Sequence, residues 1–148
     1  MVTFDVMKHW SSTTKKNIKK LQNVQNFAAR IITRSRKFDR ISPVLKELKW
    51  LSVQPMLICR DCILVFKCLR GFGPDDLAKK FKMRSEIHIK DTRKKDKMDI
   101  PGYRTAAGQR TFYYRAVSLR NNLPGSLTEL THLALFKKEL MRDLLREC

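Results

Sequence analysis

From residue 14 to residue 37 neither glycine nor proline interrupts the chain, and Ser12, Thr13 or Thr14 can cap a helix there. At 100° per residue counted from Lys16, the side chains of Ile18, Leu21, Gln25, Ala28 and Ile32 fall between about 120° and 200°. Lys16, Lys19, Lys20, Asn23, Arg30, Arg34 and Lys37 fall on the opposite side, between about 300° and 40°, with Phe27 among them at about 20°. The pattern predicts a helix with one packed face and a cationic stripe about 32 Å long, commensurate with about one turn of a nucleic-acid duplex. It is equally the pattern of a solvated helix face carrying one stray aromatic.

Downstream, Ser42-Pro43 is an N-cap followed by proline at the first helical position, which predicts a short helix through Leu48. Ser52 can cap another helix, with Pro55 tolerated in its first turn, running to Arg70 and stopping at Gly71. Apolar or thiol side chains occupy most of its circumference, as expected of a helix central to a core. Asp61 falls inside that apolar arc, so a cation must pair with it, and Arg30 is the expected partner. Gly73-Pro74 opens a short helix over 75–82, and periodicity is then lost over 84–110. Pro101-Gly102 is a turn, and the Arg93 to Lys97 cluster is of the solvated kind. Residues 111–115 suit strand or helix. After the break at Asn122-Leu123-Pro124-Gly125, Thr131 can cap a last helix with Leu133, Phe136, Leu140 and Leu144 at core spacing. The fold class is therefore mainly α: a small bundle of about five helices with an irregular basic segment around 84–110. Three regions are expected: a helical one over 1–83, a basic, aromatic-containing one over 84–125, and a C-terminal helix over 126–148 that packs back on the core.

Charge sharpens the picture. The 148 residues carry a formal net charge of +18. Residues 1–40 are net +8, 41–83 net +4, 84–120 net +6 and 121–148 neutral. Hydrophobic residues at 43% exclude a wholly disordered basic tail. No run reaches the roughly 18–20 apolar residues of a membrane span, and Lys8, His9 and the polar run that follows interrupt any signal-like stretch. An intracellular, nuclear or cytoplasmic protein with an anionic partner is expected, without a membrane or small-molecule substrate.

Candidate chemistry is sparse. Cys59-x-x-Cys62, Cys68 and terminal Cys148 lack the second ligand pair or suitably spaced histidine of a zinc site, so buried thiols on an apolar helix are expected. Asp75-Asp76 has the look of a two-metal phosphoryl-transfer pair, but acidic residues in a first helical turn need no metal. No phosphate loop, Gly-x-Ser-x-Gly or His-Glu-x-x-His motif is present. No catalytic residue, metal site or cofactor is expected. The segment holding Arg104, Arg110, Phe112, Tyr113, Tyr114 and Arg115 combines cations with stacking aromatics, although core aromatics flanked by solvated arginines give the same pattern.

Residues 21–32, Leu-Gln-Asn-Val-Gln-Asn-Phe-Ala-Ala-Arg-Ile-Ile, resemble the Leu-Gln-x-x-Gln-Asn-x-Ala-Ala-Arg-Ile-Ile signature that follows the reverse transcriptase domain in non-LTR (LINE-type, jockey-like) retrotransposon polyproteins. Trp10-Ser11-Ser12 is similar to the Trp-Gly-Ser before it. The segments Leu45 to Leu51, Arg60-Asp61-Cys62, Phe66 to Leu69 and Gly73-Pro74 with Leu77 are similar to the parts that come next. Arg104-Thr105, Gly108, Arg110 and Phe112 resemble the region before a Trp-Asn-Ser-Leu-Pro motif, which reads Arg120-Asn121-Asn122-Leu123-Pro124 here. Leu133, Phe136, Lys137 and Leu140 resemble the closing helix. The Pro-Pro-Tyr-Leu type turn reads Pro74-Asp75-Asp76-Leu77, which supports a drifted turn at the Asp pair.

The resemblance implies a thumb and C-terminal region, with fingers, palm and catalytic aspartates N-terminal to it and an endonuclease further upstream. It implies a first helix that packs beside template and primer. The expected function is non-catalytic binding of RNA or RNA–DNA hybrid, with an upstream polymerase palm as a second expected neighbour. The expected contacts are Lys16, Lys19, Lys20, Arg30, Arg34 and Lys37, with Arg104, Arg110 and Arg115 from the second region. The competing expectations are a structural or protein-interaction module and a relic reading frame with no independent function.

Overall fold

A computed structural model of the chain describes residues 13–87 and 96–147. Trp10, Ser11 and Ser12, residues 93–95 of the charge cluster, and Cys148 lie outside the described residues. The protein is mainly α, with nine helices and no strand among the described residues. Five helices have seven residues or more: α1 (Lys15–Thr33), α2 (Ile41–Glu47), α3 (Val53–Leu69), α7 (Phe112–Asn122) and α9 (Leu133–Glu147). Four are single turns: α4 (Asp75–Ala78), α5 (Arg84–Ile87), α6 (Ala106–Gln109) and α8 (Gly125–Thr128). No described helix is long and apolar enough to cross a membrane.

The chain divides into two compact units, Met1–Cys59 with Met141–Cys148, and Arg60–Leu140. In the first, α1 packs on α2 through Ala29, Val44 and Leu45, with Ile41, Leu48 and Trp50 around them. Ala29, at about 220° on the helical wheel, is fully buried. Its methyl group lets α2 close against α1, and this turns the buried face of α1 away from the expected centre. Ile32, expected inside, is 57% exposed.

Two amides take that inward place. Gln25 donates to the Leu51 carbonyl at 2.8 Å, and the Val53 N–H donates to Gln22 Oε1 at 2.7 Å. The second bond satisfies an amide at the start of α3 that has no partner within its own helix. Gln22 Nε2 also donates to Gln25 Oε1 and Asn26 Oδ1, at 2.8 and 2.7 Å.

Helix ends correct several expected boundaries. α1 stops at Thr33, not Lys37, because Arg34 adopts φ 55°. The Ser35 N–H then reaches the Arg30 carbonyl at 3.1 Å and the Arg34 N–H the Ile31 carbonyl at 3.3 Å, which is a Schellman closure. α2 begins at Ile41 rather than Pro43, with Arg40 rather than Ser42 in the cap position, since Ile41 joins the apolar cluster. It closes in the same way, with Lys49 at φ 53°. α3 ends as expected at Gly71, whose φ of 76° carries no Cβ penalty.

In the second unit, Leu64, Val65 and Cys68 of α3 meet Phe81, Met98, Ala116 and Val117. Residues 111–115, open between strand and helix, enter and begin α7. Phe66 stacks on Phe136 with ring centroids 4.5 Å apart. Phe136, Leu140 and Leu144 are buried at the expected core spacing, although α9 starts at Leu133, one residue later than a Thr131 cap would set it. α4 is shorter than the expected 75–82, because Phe81 leaves the helical path to enter the core.

Asp61 pairs with Arg115 at 3.0 Å, with Arg60 at 3.9 Å, and not with Arg30. Arg115 comes from α7, far along the chain, and helical periodicity carries no information about it. The expected partner instead donates to the Asp39 carbonyl at 3.2 Å. Asn121 of α7 pairs with the buried backbone of Met98, accepting from its N–H at 2.8 Å and donating to its carbonyl at 2.9 Å.

Candidate nucleic-acid interface

The candidate interface is built on α1. Lys16, Lys19 and Lys20 are exposed, Lys16 and Lys20 on the side of the helix away from Ala29 and Lys19 on its flank. Asn23 and Phe27 continue the same side, and Phe27 is 67% exposed. The left-handed turn at Arg34 then redirects the chain, so Arg34 and Lys37 are not on the helical spiral. Both are exposed, and both line a groove with Asn23, Asn26, Phe27 and Ile31. The stripe is therefore shorter along the helix than expected and bends at its C-terminal end.

Arg30 is half-buried, held by the Asp39 carbonyl, and also borders the groove. Its Nε is buried without a hydrogen-bond partner among the described residues. Among the described residues, no carboxylate pairs with Lys16, Lys19, Lys20, Arg34 or Lys37. Asp39 accepts from the Arg36 backbone N–H at 2.7 Å through Oδ2. Lys37 Nζ lies 5.9 Å from the centroid of Phe38, which is 93% exposed. Cations and aromatic faces thus share this end of the unit.

The other candidate residues lie in the second unit. Arg104 and Arg110 are exposed. Arg115 is committed to Asp61 through Nε and Nη2, at 3.3 and 3.0 Å, and donates to the Arg110 carbonyl through Nη1. That role ties α7 to α3 and takes Arg115 out of the interface. The neighbouring aromatics are packed too. Phe112 and Tyr113 contact Phe81 with centroids 6.4 and 5.5 Å apart. The Tyr113 hydroxyl donates to the Lys80 carbonyl at 2.6 Å, and burial, with Asp99 and Tyr103 nearby, pushes its pKa up. Tyr114 is half-buried and lies against Tyr103 at 6.4 Å.

Other motifs resolve into structure. Asp75 and Asp76 are exposed in the first turn of α4. Cys59, Cys62 and Cys68 are buried, and burial pushes the Cys68 thiol up. Among the described residues no three His, Cys, Asp or Glu side chains come together as a metal cluster.

Comparison with family models, curated proteins and solved structures finds no match.

The structural work done by Gln22, Gln25, Asn26 and Asn121 was not legible in the spacing. Polar residues on the inner side of a helix were the one available signal, since burying an amide costs stability unless it is bonded.

Proposed function

We propose that the chain is a non-catalytic nucleic-acid-binding region, the C-terminal part of a LINE-type reverse transcriptase, that grips RNA or RNA–DNA hybrid through α1 and the turn after it. The observation that carries this reading is the set of five exposed cations, Lys16, Lys19, Lys20, Arg34 and Lys37, none paired with a carboxylate among the described residues. Clustered cations with mobile counterions bind polyanions by releasing salt. Arg104 and Arg110 add exposed positive charge in the other unit. The resemblance over residues 21–32 supplies the polymerase context.

The test is binding of the full chain to labelled RNA and RNA–DNA hybrid across a salt series. Five neutralised phosphates give a slope of log K against log salt of about −3.5 to −4.5. Affinity that ignores salt, or absent binding at low salt, overturns the reading. Primer extension with template, deoxynucleotides and magnesium is expected to yield no product.

A protein-interaction module is the second reading, favoured by Val24 and Ile31, which are 67% and 61% exposed on α1. Charge reversal at Lys16 and Lys20 separates the two readings, because it abolishes nucleic-acid binding and spares an apolar contact.

A further inference from the structure

We propose that the groove at the C-terminal end of α1 holds one unpaired nucleotide of a single strand, with its base against Phe27 and its phosphates at Arg34 and Lys37. This rests on the nucleic-acid reading above and narrows it to a strand type. The groove has a volume of about 700 Å³, within the roughly 300–1,000 Å³ of small-molecule sites. Its lining is of three kinds. Phe27 and Ile31 form an apolar patch, Asn23 and Asn26 bring amides, and Arg34 and Lys37 bring charge.

A stacked duplex leaves its phosphates and groove edges open to cations and amides but hides its base faces, so it offers the exposed Phe27 ring nothing to stack on. Single strands use all three kinds together: aromatic faces for stacking, cations for the backbone and polar groups for base edges. The chain reversal at Arg34 makes the combination possible. On a continued helix Lys37 would share that face but stand about 15 Å further along the axis than Phe27, whereas the chain leaves the helix at the left-handed Arg34 and both Arg34 and Lys37 line the groove with Phe27.

The test uses the full chain at low salt with three labelled probes: a 12-nucleotide oligouridylate, an abasic strand of the same length, and an RNA duplex of the same length. Phe27 is two-thirds exposed, so Phe27→Ala leaves the core untouched. Phe27→Ala is expected to weaken oligouridylate binding about tenfold. It is expected to leave the abasic strand and the duplex unchanged, and Phe27→Tyr restores oligouridylate binding. An unchanged affinity for oligouridylate, or an equal loss on all three probes, overturns the nucleotide groove. If Lys16→Glu with Lys20→Glu then still weakens all three, the broader nucleic-acid reading stands. No binding of any probe by the unaltered chain overturns both.

Discussion

Asp61 and Arg115 form a buried ion pair at 3.0 Å between α3 and α7, with 5% and 21% of their side-chain surfaces exposed. Arg115 also reaches the Arg110 carbonyl, so one guanidinium fixes three segments. Removing Asp61 takes the carboxylate from Arg115, whose guanidinium is only 21% exposed. Asp61→Asn is expected to cost about 3 kcal/mol, the low end for broken buried pairs, because Arg115 keeps some access to water. Replacing both by leucine is expected to cost about 1 kcal/mol or less. Denaturant unfolding of the two variants checks this.

Lys49 and Arg34 both occupy the left-handed position of a Schellman closure where glycine is at home, as Gly71 shows at the end of α3. Lys49→Gly is expected to raise stability by about 1 kcal/mol, the αL cost less the added chain entropy. A rise of about 2–4 °C in Tm is the corresponding readout.

Asn121 satisfies both backbone groups of Met98, a residue with no exposed surface. Asn121→Ala leaves an N–H and a carbonyl buried without partners. The expected cost is about 2–4 kcal/mol. Asn121→Asp keeps the acceptor but sets a carboxylate oxygen against the Met98 carbonyl, so it is expected to cost at least as much.

Arg120 borders a cavity of about 210 Å³ together with Val65, Phe66, Leu123 and Phe136. Burial pulls its pKa down, and neighbouring Arg70 adds to the effect against the opposing pull of Asp96. A cation is thus half-buried in a largely apolar hollow. Arg120→Trp fills the hollow and removes the buried charge, with an expected gain of about 1 kcal/mol measured by denaturant midpoint.

Alkaline pH is expected to destabilise the second unit. The Cys68 thiol and the Tyr113 hydroxyl both have folded pKa values raised above their ordinary 9.0 and 10.0, chiefly by burial. A raised value means that the neutral form is favoured by folding. Its contribution is complete below the unfolded pKa and is lost as pH climbs through the folded one. Stability measured from about pH 8 upward should fall above about pH 9, and Cys68→Ala combined with Tyr113→Phe should flatten that fall.

What was legible in the sequence follows physical range. The helical stretches, the stop at Gly71, the break at Pro124 and the packed stripe of the last helix are local facts of periodicity and backbone chemistry. The need of Asp61 for a cation was local as well, because the apolar arc around it lies on its own helix. The identity of that cation was not, since Arg115 is 54 positions away and nothing in the spacing singles it out. The exposure of Ile32 was hidden for the same reason: Ala29 and Ile32 are both apolar, and only the approach of α2 selects between them.

The sequence by itself determined a mainly helical protein with two strongly basic regions, residues 1–40 and 84–120, because side-chain period, chain breakers and charge count are properties of neighbours along the chain. Tertiary structure decided which cations are committed to groups of the protein itself. Arg115 was drawn to Asp61 and Arg30 to the Asp39 carbonyl, while Lys16, Lys19, Lys20, Arg34 and Lys37 stay exposed. The physical reason is desolvation at Asp61: a buried carboxylate is stable only beside a cation, and that Arg115 stands beside it is set only when distant segments meet.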